Sequence, residues 1–329
     1  MANACGGRMR IGRLGILACT LFLGACAAPN YEKQVSDLSA GFSKVKSTFD
    51  SLEEDERQAV IGAQTIRALN RGSNLEIPDT CALPPKRKTP LKTINCRPSM
   101  VASDGVSTSF VIPTKSEQAG KLAGLLVAYG GGLVALASAK DVAELEASVG
   151  KARDAIVKLR TDVGGKSART EPFGAITAAA VWVFGKYLEQ RRFDELHKAV
   201  AEGDQLVEKA AGILGEDAST IQRNIIVQKT QILHRQNDNL RVLRKNTEAD
   251  RTLIDQRGAE IAASALALQQ LAETDARVPF QKMREAHAKL LEALDYPAIK
   301  PDAVFKAISE FADQADKLKK GIDQARKGK

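Results

Sequence analysis

The chain has 329 residues, of which 44% are hydrophobic, 5% are aromatic and 27% are charged. This length allows one large domain or two, and the low aromatic content with abundant Ala, Leu, Lys, Glu, Gln and Arg favours helices. The formal net charge of +8 permits contact with an anionic lipid or polymer but does not demand one.

The first 26 residues form a segment in three parts. Arg8, Arg10 and Arg13 supply positive charge, residues 11–23 are largely apolar, and small residues precede Cys26. This order is typical of a secretory signal, and the apolar part is too short for a comfortable membrane span.

The stretch Leu23-Gly24-Ala25-Cys26 resembles the lipobox of bacterial lipoproteins, in which the cysteine is acylated and the residues before it are removed. The resemblance implies a signal peptide at 1–25, a lipid anchor on Cys26 and a tether at 26–32. Ala27 does not match the Asp of an inner-membrane retention signal, so the resemblance implies the periplasmic face of the outer membrane. This location in turn implies that nucleic acid is not a partner. The alternative is an ordinary signal peptide cut near Ala27-Ala28.

Residues 33–329 are predicted to form an elongated, all-α, antiparallel helical bundle. The first helix covers 33–69 and ends at Asn70, Gly72 and Ser73. Its apolar residues are spaced by three and four, as in a coiled coil: Val35, Leu38, Phe42, Val45, Phe49 and Leu52. We interpret this helix as facing the bundle core, with docking to another chain as the alternative, and residues 53–56 as a solvated acidic face.

Residues 72–116 are rich in proline and interrupt the bundle. Cys81 and Cys96, the two cysteines left after the signal and anchor, predict a disulfide across a loop of about 15 residues, worth roughly 3 kcal/mol. A metal or redox pair fits less well because no ligand-type spacing accompanies them. Asp104-Gly105, between Met100-Val101 and residues 110–112, predicts a small hairpin.

A basic patch lies in or beside the predicted disulfide loop. It is the candidate surface for an anionic partner, and the alternative is a set of solvated cations. Its members are Lys86, Arg87, Lys88, Lys92 and Arg97.

Residues 122–139 are almost entirely apolar, with Gly130, Gly131 and Gly132 in the middle. They can be a buried helix or helical hairpin in which glycine allows close approach, a true membrane span, or a segment that inserts conditionally. The apolar residues 173–184 are interpreted as bundle core or, alternatively, as an interfacial patch.

Charged amphipathic helices follow. One covers 141–159, another begins at Thr170-Glu171-Pro172 and runs toward Gly215, and the longest runs from about 217 to 274. The last is roughly 80 Å long. It has a repeat of seven positions that is apolar except at Thr247: Ile226, Leu233, Leu240, Thr247, Ile254, Ile261 and Leu268. Its polar middle predicts a coiled-coil-like arm around 240–261 that packs on one partner helix and protrudes from the bundle. We interpret the arm as a binding surface for a protein, with a solvated arm as the alternative.

Two further helices are predicted, at 279–294 and 305–322, with a fraying basic end at 317–329. We find no catalytic constellation, metal site or cofactor site. Gly164-Gly165-Lys166-Ser167 lacks the first glycine of a phosphate loop, since Arg160 stands there. The three histidines, His197, His234 and His287, are interpreted as isolated surface or capping groups.

These features predict a non-catalytic, membrane-anchored periplasmic lipoprotein that binds or scaffolds an envelope protein, or self-associates, through helical surfaces. The alternative is a membrane-active or lipid-binding protein in which 122–139 and 173–184 enter a bilayer. An enzyme with an unobvious Asp/Glu pair is the third hypothesis, and no sequence motif favours it.

Overall fold

The structure is a computed structural model that describes residues 31–76, 99–102, 104–111, 117–163, 184–246, 250–296 and 301–327. Of these residues 87% are helical, which confirms the all-α class. The seven helices in this part of the chain are α1 (Glu32–Asn70), α2 (Glu117–Ser138), α3 (Val142–Asp162), α4 (Phe184–Lys245), α5 (Arg251–Ala272), α6 (Val278–Asp295) and α7 (Pro301–Lys327).

Local hydrogen bonds set several helix ends where the sequence indicates them. Gly72, with a positive φ of 70°, follows α1, and the Ser73 amide donates to the Ala68 carbonyl at 3.0 Å. The Asp141 carboxylate caps α3 by accepting from the Glu144 amide at 2.8 Å. Such bonds satisfy backbone groups that have no partner inside the helix.

A small antiparallel sheet follows α1, with the order β1 (Asn74–Glu76), β2 (Ser99–Val101) and β3 (Ser107–Ser109). The predicted turn is confirmed, because Gly105 has a φ of 81° and the Asp104 carboxylate accepts from the Val106 amide at 3.0 Å. The final strand was expected at 110–112, but it ends before Phe110, which leaves the sheet and is buried.

Helix α4 contradicts the prediction of a break at Gly215, because it continues unbroken for 62 residues. Gly215 packs against α6 within the unbroken helix, and an added Cβ would lie 3.6 Å from Phe280 Cβ, an ordinary van der Waals distance. The prediction of one helix from 217 to 274 is also wrong. Helix α4 ends at Lys245 and α5 starts at Arg251, antiparallel to it.

Helices α1 and α7 run parallel to α4. The Tyr31 and Phe193 rings lie 6.2 Å apart near the beginnings of α1 and α4, and Asp55 pairs with Lys229 further along both. Helix α7 runs in the same direction as α1, since Lys44 pairs with Asp316 and, about two turns further along α1, the Ser51 carbonyl accepts from Arg326. The bundle therefore contains parallel neighbours in addition to the antiparallel pairs expected from the sequence.

Helices α5 and α6 lie one after the other along α4 and run against it. Gln222 of α4 joins them at their junction. Its Nε2 donates to the Leu271 carbonyl at 2.7 Å and to the Thr274 carbonyl, while its Oε1 accepts from the Ala276 amide at 3.3 Å. One buried amide thus satisfies the open end of α5 and the start of α6.

Helix α2 packs inside the bundle between α1, α3 and α4. A Cβ added at Gly130 would lie 2.8 Å from Phe42, and one at Gly132 would lie 2.8 Å from the Ala152 Cα, so these glycines permit the close approach of α1 and α3. Residues 119–138 form the one described helix long and apolar enough to cross a membrane, and half of that window is buried within the protein.

The C-terminal helix does not fray at its basic end. Helix α7 continues to Lys327, because Leu318 and Ile322 are buried in the core. Arg326 in its last turn donates to the Ser51 carbonyl at 3.0 Å. Lys317 and Lys320 are exposed, whereas Arg326 faces the buried Asp55 of α1.

Gly203 of α4 gives a test of this packing, because an added Cβ would lie 2.2 Å from the Tyr129 hydroxyl. We expect Gly203→Ala to lower the free energy of unfolding by about 1–3 kcal/mol through overpacking. Gly212→Ala is the matched control, since its Cβ meets no atom within 4 Å, and should be neutral or stabilising by up to ~1 kcal/mol. Urea denaturation measures both, and equal effects would contradict the packing described.

Candidate functional site

The end of the α4–α5 hairpin is the candidate interaction surface, and we call residues 236–245 and 251–264 the hairpin arm. Its two helices enclose a cleft of about 270 Å³, and only α4 and α5 line this cleft. The apolar members of its wall are Leu240, Leu243, Leu253 and Ile261. The predicted partner helix of the arm is therefore its own continuation along the chain.

Residues on either side of the reversal explain why a regular apolar repeat does not produce one continuous helix. Asp250 adopts an extended conformation and its carboxylate accepts from the Thr252 amide at 2.8 Å, which starts α5. The repeat survives the break because each half presents its apolar residues to the other half. Thus Gly258 of α5 faces Leu240 of α4, and a Cβ added to the glycine would lie 3.7 Å from the leucine methyl.

The outer surface of the hairpin arm is largely polar, with isolated apolar side chains. Val242 is 68% exposed and Leu253 is also exposed. The arm also carries exposed cations (Arg241, Arg244, Lys245, Arg251 and Arg257) and exposed carboxylates (Asp238, Asp255 and Glu260, with Asp250 immediately before α5). Exposed apolar side chains and arginines are both enriched in protein–protein contacts.

The hairpin arm and Tyr31 lie at opposite ends of α4. Tyr31 contacts Phe193 and donates to the Ala293 carbonyl at 2.8 Å, whereas the arm follows residue 235. From Phe193 to Asn246 the helix rises by roughly 80 Å. The first described residue after the predicted tether is thus separated from the arm by most of the length of the molecule.

A buried chain of hydrogen bonds joins three helices near the middle of the bundle. The Tyr129 hydroxyl of α2 lies 2.9 Å from His287 Nε2 of α6, and His287 Nδ1 lies 3.0 Å from the Asp204 carboxylate of α4. Tyr129 and His287 are fully buried, and the Asp204 side chain is 34% exposed. The two ring nitrogens of His287 thus bridge the Tyr129 hydroxyl and the Asp204 carboxylate, and the Tyr129 hydroxyl also donates to the Ala199 carbonyl at 3.3 Å.

The interpretation of His287 as an isolated surface or capping group is therefore wrong. His197 lies closer to that interpretation, since its partly exposed ring contacts Asp295 at 2.6 Å, and His234 is exposed. The hydrogen bond from His287 lowers the pKa of Asp204, and Arg284 lowers it further, against partial burial. Burial raises the pKa of Tyr129 well above its usual value, and Asp204 and Glu202 add to this effect.

A second buried polar group corrects the interpretation of 53–56 as a solvated face. Asp55 is 0% exposed, and Lys229 Nζ lies 3.0 Å from its carboxylate. The Arg326 Nε lies 3.8 Å from the same carboxylate. Glu53 is also buried, so only part of this acidic run faces solvent.

The other site residues predicted from the sequence lie outside the described residues. These are Cys26, the proposed disulfide partners Cys81 and Cys96, and the basic patch of Lys86, Arg87, Lys88, Lys92 and Arg97. The sheet does define where this excursion starts and finishes, because Glu76 of β1 pairs with Ser99 of β2. Glu76 and Ser99, the described residues on either side of this excursion, are therefore neighbours in the sheet.

Among the residues that the structure describes, no three or more His, Cys, Asp or Glu side chains are grouped so as to hold a metal ion. No protein-family model matches the sequence, and no curated protein or solved structure matches it significantly.

The buried chain predicts how stability depends on pH. Because the pKa of Asp204 is lowered by folding, its contribution is present above the unfolded-state pKa of about 4 and is lost as the pH falls through the lower folded value. Asp204→Asn should cost about 1–3 kcal/mol near pH 6, where it loses a charge-assisted hydrogen bond, and should reduce the loss of stability between pH 5 and 2.5.

Thermal unfolding followed by circular dichroism over this pH range measures both effects. The control is Asp313→Asn on the exposed face of α7, which should keep the wild-type pH profile. Parallel profiles for wild type and Asp204→Asn would exclude the pH effect assigned to this carboxylate.

Proposed function

We propose that the protein is a lipid-anchored, non-catalytic binding or scaffold module of the cell envelope, held through Cys26 and facing the periplasm from the outer membrane. Its partner is an envelope protein, or a second copy of the chain, that contacts the helical surfaces. The lipobox resemblance supports the anchor. The observation that carries the binding role is the hairpin arm at the end of α4 remote from Tyr31.

The arrangement favours presentation of a surface at a distance from a membrane. Helix α1 begins at Glu32, only a few residues after Cys26, so an anchor on Cys26 lies near the end of the bundle where α1 and α4 begin. The hairpin arm would then be carried roughly 80 Å along α4. A helical pair with a polar surface and an exposed apolar tip suits recognition of another protein more than chemistry.

The alternative, insertion of 122–139 and 173–184 into a bilayer, is less well supported for the first segment, and residues 173–183 of the second lie outside the described residues. Leu122, Leu126, Tyr129, Leu133 and Leu136 of α2 are at most 1% exposed within the bundle. Insertion would remove these side chains from the core, so it requires that the bundle open. Sedimentation of the Cys26→Ala chain with phosphatidylglycerol vesicles would favour this alternative, and its absence would favour the proposal.

The anchor is tested by substitution of the acylated cysteine. We expect Cys26→Ala to lose the lipid and to move from the membrane to the soluble fraction, since no acyl chain then holds it. Cys19→Ala is the control, because this residue leaves with the signal peptide and the variant should stay membrane-bound. Fractionation and intact mass provide the measurement, and an uncut, membrane-bound Cys26→Ala protein indistinguishable from wild type would refute the anchor.

The arm is tested by a photo-crosslinking residue placed at position 242 in the intact envelope. Val242 is 68% exposed on the hairpin arm, and the control position Val157 is 43% exposed on α3 of the bundle body. We expect a discrete protein adduct from position 242 and none of that mass from position 157. Identical adduct patterns at both positions, or lipid adducts alone, would argue against recognition through the arm.

A further inference from the structure

A cleft lies where α1, α4, α5 and α7 meet, and we call it the four-helix cleft. Its volume is about 310 Å³. The apolar side chains of its wall are Ala59, Ile66, Ile232, Leu233 and Ala325, and polar side chains of Gln58, Thr65, Gln236 and Ser264 surround them. It is separate from the buried chain of Tyr129, His287 and Asp204.

A glycine of α1 helps to keep this space open. A Cβ added at Gly62 would lie 3.1 Å from the Ile232 methyl, the far end of a flexible side chain across the cleft. Small residues, Ala59 and Ala325, form other parts of the wall. A larger side chain at position 62 would therefore occupy the cleft and need not push the helix backbones apart.

Lys229 gives the cleft its charge. It lines the space and belongs to the group in which Lys229 and Arg326 face the fully buried Asp55. These two cations and one carboxylate sum to one net positive charge. Lys229 is the member that lines the cleft, and its ammonium donates to Asp55 and to the Ala325 carbonyl, whereas Arg326 donates to the Ser51 carbonyl. The next carboxylate on α1, Glu56, accepts instead from Asn224 at 2.9 Å.

Such charge has an energetic cost. The free-energy cost of desolvating a buried ion pair is often as large as the Coulombic attraction between its members. Apolar residues of the same size would therefore stabilise the fold equally well. Apolar pockets with a few charged groups at the wall are the usual form of small-molecule sites. In an environment of low dielectric constant, the excess positive charge favours an anion over a neutral molecule or a cation.

We propose that the four-helix cleft binds a small amphipathic monocarboxylate. Its apolar body contacts Ile66, Ile232 and Leu233, and its carboxylate lies toward Lys229. At roughly 30 Å³ per water molecule in the liquid, the cleft has room for about ten water-sized groups. This inference goes beyond the proposed function and does not depend on the anchor, although Gln236 and Ser264 at one edge of the cleft belong to the hairpin arm.

Three probes with one apolar body separate charge from shape: 3-phenylpropanoate, its neutral amide and the cationic 3-phenylpropylamine. Binding to the purified full chain is measured by saturation-transfer NMR and calorimetry. We expect the carboxylate to bind at least tenfold more tightly than the amine, with the amide between them. Equal affinities, a preference for the amine, or no binding by any probe would overturn the proposal.

Gly62→Leu locates the site, because its side chain fills the cleft, and it should weaken 3-phenylpropanoate at least tenfold. Gly150→Leu is the matched control, since Gly150 is an exposed helical glycine of α3 with open space around its Cβ position. Should Gly62→Leu fail to fold, Ser264→Phe fills the cleft from α5. Unchanged affinity in the folded cleft variants would place binding elsewhere and refute the site.

Discussion

Helix α4 extends over roughly 93 Å without a break. It carries one apolar stripe along most of that length, and other helices must bury this stripe. A helix of 62 residues has no partner of equal length in the described chain, so several shorter helices cover it in sequence. Helix α6 covers the first half and α5 the second, while α1 and α7 run alongside. Gln222 holds the junction between α5 and α6 and keeps this cover continuous. Where α1 and α7 no longer accompany α4, α5 alone packs on it, and this part is the hairpin arm.

Apolar periodicity predicted the helices well and their ends less well. Helices α1 and α6 agree with expectation within a residue or two: Gly72, with its positive φ, follows α1, and Pro279 lies in the first turn of α6. Helix α4 does not, because Gly215 lies in an apolar contact, where tertiary packing overrides its low helix propensity. The seven-residue repeat was real, yet it could not distinguish one long helix from two antiparallel halves that face each other.

The burial of the polar residues His287 and Asp55 could be predicted only from their positions within the apolar repeat of their helices. His287 occupies the apolar register of Phe280, Met283, Leu290 and Leu294, so its burial could have been inferred from spacing. Asp55 likewise fills a gap in the stripe of α1 between Leu52 and Ala59. Their partners could not have been inferred, because Tyr129, Asp204, Lys229 and Arg326 come from helices far apart in the chain. Pairing across the bundle is a property of packing, not of local sequence.

The parallel course of α1 and α7 has a consequence for how the molecule is made. The first helix leaves the ribosome long before the last, yet Asp55 meets Arg326 and Phe42 meets Phe311 in the finished core. Contacts separated by so much chain form slowly and only once synthesis is nearly complete. Until then the apolar stripe of α1 has no final partner on one side. A nascent or truncated chain would thus remain a substrate for chaperones and proteases, and the C-terminal helix acts as the closing element of the whole bundle.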